Sequence, residues 1–215
     1  MVEGASVTLV DIVEAEGAAA AESVAATFRR LDVTSEDDWA AFTEELAAQP
    51  PDVLVNNAGG LLNSARLHEH DLASWQATLE LNLTSAFLGM RAVIPLMLGR
   101  GRGAVINLCS FSGLVGQPDA PAYQAAKAGV WLLTRNAAVT YGPSGIRVNA
   151  ISPSVIATPG LSAEPDDRTD YFLNRIPLGH PGGGNDVAAA AAYLASDDAR
   201  YVTGANLPVD GGYLA

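Results

Sequence analysis

The stretch Asp52-Val53-Leu54-Val55-Asn56-Asn57-Ala58-Gly59-Gly60 (DVLVNNAGG) decides the fold. Its apolar run is too short for a helix and reads as a buried strand. The small residues behind it let another backbone, or a ligand, approach closely. The asparagine side chains can tie down the exposed strand end. Working outward, short β-branched runs alternate with longer helical patterns. Upstream, residues 6–12 (SVTLVDI) read as a strand, 14–26 as an alanine-rich helix and 28–33 as a weaker strand. Residues 35–48 read as a helix with Ser35 as N-cap and Asp38 at its third position. Downstream, Trp75, Leu79, Leu83 and Phe87 recur every four residues, and Met90 and Ile94 continue the stripe, so 71–98 reads as one long helix that Pro95 kinks or ends. Then follow a strand at 104–109 (AVINLC), a helix at 122–141, a strand at 146–151 (IRVNAI), a helix at 186–195 and a last strand at 205–209. Such alternation implies βαβ units and an α/β fold with a parallel sheet. The stretch 159–184 is rich in Pro and Gly. A long loop of this kind in a compact fold is expected to cover a site rather than join domains.

The chain has 215 residues, 49% of them apolar and 17% charged, which fits a single globular domain with a sizeable core. A net charge of −12 argues against nucleic acid or an anionic membrane as partner, since both select basic patches. The sequence shows no unbroken apolar stretch of about 18 residues to span a bilayer, and Met1–Ala5 has no basic segment typical of a signal peptide. The lone Cys109 excludes an intrachain disulfide, reads as inert packing and fits a reducing, cytoplasmic setting.

Several residues carry candidate chemistry. Tyr123 and Lys127, four apart on a helix, point the same way, and an ammonium there can lower the phenol's pKa toward that of a proton donor and acceptor. A Tyr-x-x-x-Lys spacing is also common by chance. Ser110 stands just past a strand, where parallel sheets place ligand sites, with Ser112 as the rival hydroxyl. Asp11 ends the first strand. In a dinucleotide-binding fold an acid there bonds the adenosine ribose hydroxyls and repels a 2′-phosphate; alternatively it caps the next helix. Asp32, before Val33, reads either as an adenine contact or as a turn residue. Asn82 by itself reads as an exposed polar residue inside the long helix. His68-Glu69-His70-Asp71 is a dense patch without zinc-like pairing, so no metal is expected.

Taken in order, LVNNAGG (54–60), the Asn of LELNLTSAF (79–87), INLCSFSG (106–113), YQAAK (123–127), RVNAISPSVIATP (147–159) and VTGANLPVDGG (202–212) resemble the short-chain dehydrogenase/reductase family across essentially the whole chain. The resemblance implies a Rossmann-like, doubly wound parallel sheet and hydride transfer between NAD(H) and a secondary alcohol or ketone. Tyr123 would be the general acid/base and Lys127 would lower its pKa and hold the nicotinamide ribose. Ser110 would bond the substrate oxygen, and Asn82 would position a water linking Lys127 to solvent. Asp11, Ile12, Asp32, Val33, Asn57, Ala58 and Gly59 would contact the adenosine half. Pro153, Ile156 and Thr158 would flank the nicotinamide. Asp11 favours NAD over NADP. The pocket would be lined around Leu114, Val115 and Gln117 and by Leu161, Tyr171 and Phe172. Relatives pair subunits through the helices 71–98 and 122–141 and, in tetramers, through the C-terminal strand and tail, so a homo-oligomer is expected.

Two departures stand out. The family usually has Pro-Gly where this chain has Pro153-Ser154, and Ser154 is expected to strain that turn modestly. The family also begins with a strand, a TGxxxGxG turn and a helix ahead of the strand that here is 6–12. Met1–Ala5 resembles the tail of that unit, so a fragment or a misplaced start, with a gap in the sheet between 6–12 and 52–56, is expected. Gly182-Gly183-Gly184 is not expected to replace the phosphate turn, because no strand precedes it. The alternative to an active enzyme is a fold relic that lacks the pyrophosphate loop and works as an oligomerisation subunit.

Overall fold

The computed structural model describes residues 4–157 and 167–215. Four parallel strands form its centre in the order β3 (Val53–Asn56), β4 (Gly103–Leu108), β5 (Ile146–Pro153) and β8 (Asn206–Val209). Val105 and Ile106 on β4, and Val148 and Ile151 on β5, are wholly buried, and they divide between the two faces. Val105, Ile146 and Val148 join Trp39, Leu88, Val93 and Met97 in one core, whereas Ile106 and Ile151 join Leu194 and Ala199 in another. The period-2 alternation of these strands therefore feeds two helical layers, as a doubly wound sheet requires.

The first layer contains α2 (Glu36–Ala47), α4 (Ser85–Arg100) and α5 (Pro121–Tyr141), and the second contains α7 (Gly184–Ala195). Ser35 caps α2 as expected, accepting from the Asp38 amide. β1 (Thr8–Asp11) and β2 (Thr27–Arg30) pair in parallel as a separate two-stranded sheet beside α1 (Glu14–Ser23). Among the described residues, β1 and β3 share no ladder, and Val53 and Val55 of β3 stay exposed.

The long helix departs from expectation in three ways. α3 (Leu72–Leu79) runs into α4 through a π-helical turn at Glu80–Thr84 rather than as one α-helix. Pro95 lies inside α4 and does not end it; the helix closes at Gly101 in the left-handed conformation. The stretch Leu72–Arg100 is in fact long and apolar enough by composition to span a bilayer, contrary to the sequence reading. Met90, Val93, Ile94 and Met97 bury themselves under the sheet instead, as in a core helix.

The stretch 159–184 is not all loop. It contains α6 (Asp167–Leu173) and β7 (Gly182–Gly183), which pairs with β6 (Ile156–Ala157) and leads directly into α7. The first two of the three glycines are themselves that short strand, and no other strand stands between α6 and them. Ser154 takes no left-handed backbone, so the predicted strain is absent there. Thr158, Leu161 and Met1–Glu3 lie outside the described residues.

Candidate active site

β4 ends at Leu108, and the chain turns sharply so that Ser110, in extended backbone, accepts from the amide of Ser112. This fixes Ser110 Oγ at the carboxyl edge of the sheet, where parallel strands present ligand sites. The Ser110 hydroxyl is close enough to the Tyr123 phenol to lower its pKa; Ser112, the rival, gives its backbone amide to Ser110.

α5 starts abruptly. Asp119 and Ala120 are both left-handed, at φ 62° and 51°, and Pro121 begins the helix. The Gln124 carboxamide holds this corner: its Oε1 accepts from the Gln117 amide at 2.8 Å, and its Nε2 donates to the carbonyls of Gln117 and Asp119. This clamp went unread in the sequence, where only the Asp-Ala-Pro string hinted at a corner. It sets the first helical turn that carries Tyr123.

Lys127 lies one turn on, 97% buried, with Nζ donating to the Leu108 carbonyl at 2.9 Å and standing 5.7 Å from the Tyr123 ring centre. No carboxylate pairs with it among the described residues. Burial therefore dominates and lowers its pKa to about 8. Tyr123 moves the other way. Loss of water around its oxygen raises its pKa, and the Ser110 hydroxyl offsets part of that rise. The expected lowering of the phenol by the ammonium is thus not what governs it here. The Cys109 thiol is buried, raised in pKa chiefly by that burial, and donates to the Lys127 carbonyl at 3.0 Å.

Asn82 is 1% exposed, not exposed as its position in a helix suggested. The π turn carries it inward, and π turns of this kind recur at functional sites. Its Oδ1 accepts from the Gly60 amide at 3.0 Å, and its Nδ2 donates to the carbonyls of Gly60 and Thr78. The side chain braces the glycine turn against Thr78 with both Nδ2 hydrogens, while Oδ1 accepts from one donor. A Cβ on Gly59 would stand 2.7 Å from Asn82 Oδ1 and 3.1 Å from Lys127 Nζ, so only glycine fits. Gly59, Asn82, Ser110, Tyr123 and Lys127, spread over seventy residues of sequence, meet at one strand edge.

The other predicted contacts follow strand ends. Asp11 is exposed at the end of β1, its Oδ1 accepting from the Val13 amide two residues on without capping α1, beside exposed Ile12. Asp32 folds its own turn, accepting from the Thr34 amide and hydroxyl, while Val33 packs into the core. Asn57 and Ala58 are exposed after β3, and Pro153 and Ile156 flank the end of β5. In the histidine patch, Asp71 caps α3 through Ser74 and His70 packs edge-on against Trp75.

Comparison with known proteins follows the same lines. The family model for enoyl-(acyl carrier protein) reductase matches residues 1–214. The chain is 44% identical to cis-4-hydroxycyclohexanecarboxylate dehydrogenase of Sinomonas cyclohexanicum, over 99% of this chain and 88% of that one. It is 42% identical to 3-alpha-(or 20-beta)-hydroxysteroid dehydrogenase of Mycobacterium bovis, over 99% and 81%. The crystal structure of a gluconate 5-dehydrogenase from Burkholderia cenocepacia, in complex with NADP and tartrate, superposes with a TM-score of 0.91 at 31% identity, over 98% of this chain and 86% of that one.

Proposed function

The chain belongs to the short-chain dehydrogenase/reductase family, and on that footing we propose that it interconverts a secondary alcohol and its ketone with NAD(H), using Tyr123 as general acid/base. It is an oxidoreductase, and nicotinamide cofactors are the family's hydride carriers. The observation that carries the reading is the convergence of the Ser110 hydroxyl, the Tyr123 phenol and the buried, carboxylate-free Lys127 ammonium at one strand edge.

The residues present fit a nicotinamide nucleotide. Gly60 has open space where a side chain would be, Gly59 excludes one, and the Lys127 ammonium has only a carbonyl as partner. Lys127 and Tyr123 would hold the nicotinamide ribose, and Asp11 and Asp32, with Ile12, Val33, Asn57 and Ala58, would hold the adenosine half. Pro153, Ile156 and Thr158 would flank the nicotinamide. Bound there, the cofactor gives or takes the hydride at the carbon that bears the substrate oxygen. Ser110 Oγ donates to that oxygen and holds it beside the phenol. As phenolate, Tyr123 takes the hydroxyl proton during oxidation, and as phenol it gives a proton to the carbonyl oxygen during reduction. Lys127 stabilises the phenolate once it forms. Asn82, by holding Gly60, keeps Gly59 close to the ammonium. The stretch 159–184 covers the substrate, consistent with Phe172 of α6 stacking on Phe111. A cyclic secondary alcohol is the substrate class in view, since the relatives act on hydroxycyclohexanecarboxylate and hydroxysteroids. The enzyme works in a reducing cytoplasm, as a homo-oligomer.

The test is turnover of a cyclohexanol with NAD by the purified chain and by Tyr123→Phe. The variant is expected to lose about 10²- to 10⁴-fold in kcat/KM with its fold intact. Retention of activity overturns the role of Tyr123, and preference for NADP overturns the role of Asp11.

A further inference from the structure

A cleft of about 330 Å³ opens beside the first turn of α5, lined by Leu67, Gln117, Asp119, Pro121 and Gln124. Gln117 is its most constrained polar group. The Gln124 carboxamide grips its backbone N–H and C=O, four residues before α5 begins. Its side chain is oriented too. Tyr213, in the C-terminal turn, donates to Gln117 Oε1 at 3.2 Å. Tyr213 is itself wedged by rings: its centre lies 4.6 Å from Phe111, the neighbour of Ser110, and 6.4 Å from Phe172 of α6. With Oε1 occupied, the two Nε2 hydrogens of Gln117 have no partner among the described residues. A half-buried amide that presents unpaired donors selects for an acceptor.

We propose that Gln117 is a specificity-determining residue, whose Nε2 donates to an acceptor oxygen on the part of a cyclic alcohol remote from the reacting carbinol. The proposal rests on the oxidoreductase reading above. Leu67 and Pro121 of the cleft face the apolar ring, and Tyr213, held by the Phe111 and Phe172 rings, engages Oε1 and leaves Nε2 as the open end of the amide. Asp119 also lines the cleft, 4.0 Å from Arg66, and its negative charge makes a neutral acceptor the cleaner probe.

Two alcohols of nearly the same shape isolate this contact: 4-methoxycyclohexanol, with an ether oxygen, and 4-ethylcyclohexanol, with a methylene in its place. The native chain is expected to favour the methoxy compound in kcat/KM by about three- to tenfold, the worth of one neutral hydrogen bond. In Gln117→Met, which keeps the side-chain length, that ratio is expected to fall to near one. In Tyr213→Phe, which keeps the ring and frees the amide, it is expected to lie between. An unchanged ratio in Gln117→Met overturns the proposal. Should that variant not fold, an undiminished ratio in Tyr213→Phe overturns it instead. If no alcohol is turned over, the oxidoreductase reading fails separately, and saturation-transfer NMR with the same two compounds still decides: stronger binding of the methoxy compound, lost in Gln117→Met, supports the assignment, and equal binding overturns it.

Discussion

Lys127 shows how burial and pH are tied at the scale of one residue. An unfolded lysine holds its proton to its ordinary value of 10.5, whereas the folded chain releases it near 8. Between those values the unfolded state binds the extra proton, so this group makes the fold more stable as pH rises through the window, and the cost of a buried ammonium is borne in full below it. The native chain is therefore expected to gain roughly 2–3 kcal/mol relative to Lys127→Met between about pH 7 and about pH 10. Urea unfolding of both proteins across that range measures the difference; parallel stability curves would show that Lys127 titrates normally. The raised phenol of Tyr123 acts above this range and in the opposite sense. At this scale the sequence offered Tyr123, Lys127 and Ser110 as candidates only through their order among the other motifs, since the Tyr-x-x-x-Lys spacing alone is common by chance. It misplaced Asn82, because a single extra residue in a helical turn leaves no compositional mark yet rotates the side chain inward.

Elements are joined here by buried polar ties as well as by apolar packing. Asn56 Nδ2 donates to Asn107 Oδ1 at 2.7 Å, and Asn107 Nδ2 donates to Thr134 Oγ1 at 2.9 Å, which links β3, β4 and α5 beneath the site. Asn56 also reaches the Ala86 carbonyl and Thr134 donates to the Val130 carbonyl, so Asn107 is the group that joins the two ends. Asn107→Leu, close in volume, is expected to cost roughly 1–3 kcal/mol in unfolding free energy, because Asn56 Nδ2 loses its short bond and Thr134 Oγ1 loses its donor. Denaturant titration checks it, and a triple change to apolar residues at all three positions is expected to recover part of the loss. The strands and most helices were legible from periodicity, and Ser35 marked the start of α2 by its chemistry. The helix α6 and the pair β6–β7 were not, since short elements in a Pro- and Gly-rich stretch owe their form to neighbours rather than to pattern.

On the scale of the whole molecule, stability is unevenly spread. β4 and β5 are buried on both faces, while β1 and β2 pair only with each other and α1 buries only Gly17 and Ala21. Amides of β1 and β2 are expected to exchange with deuterium well before those of β4 and β5, as local opening requires; uniform protection in native-state exchange would contradict this. Leu132 and Val139 of α5 stand 65% and 80% exposed, and Phe87 and Leu98 of α4 are also open, an apolar surface suited to subunit pairing. Leu132→Glu is expected to lower the mass seen by light scattering, and an unchanged mass would place the interface elsewhere. By itself the sequence determined the alternating α/β order and the parallel sheet, and it named the candidates for proton handling, because hydrophobic period and motif order are local properties of the chain. Only the tertiary structure decided that Asn82 braces the glycine turn, that burial pulls the pKa values of Tyr123 and Lys127 apart, and that Gln124 and Tyr213 orient Gln117. Those outcomes depend on which distant groups share a dry interior, and desolvation is set by packing, not by spacing along the chain.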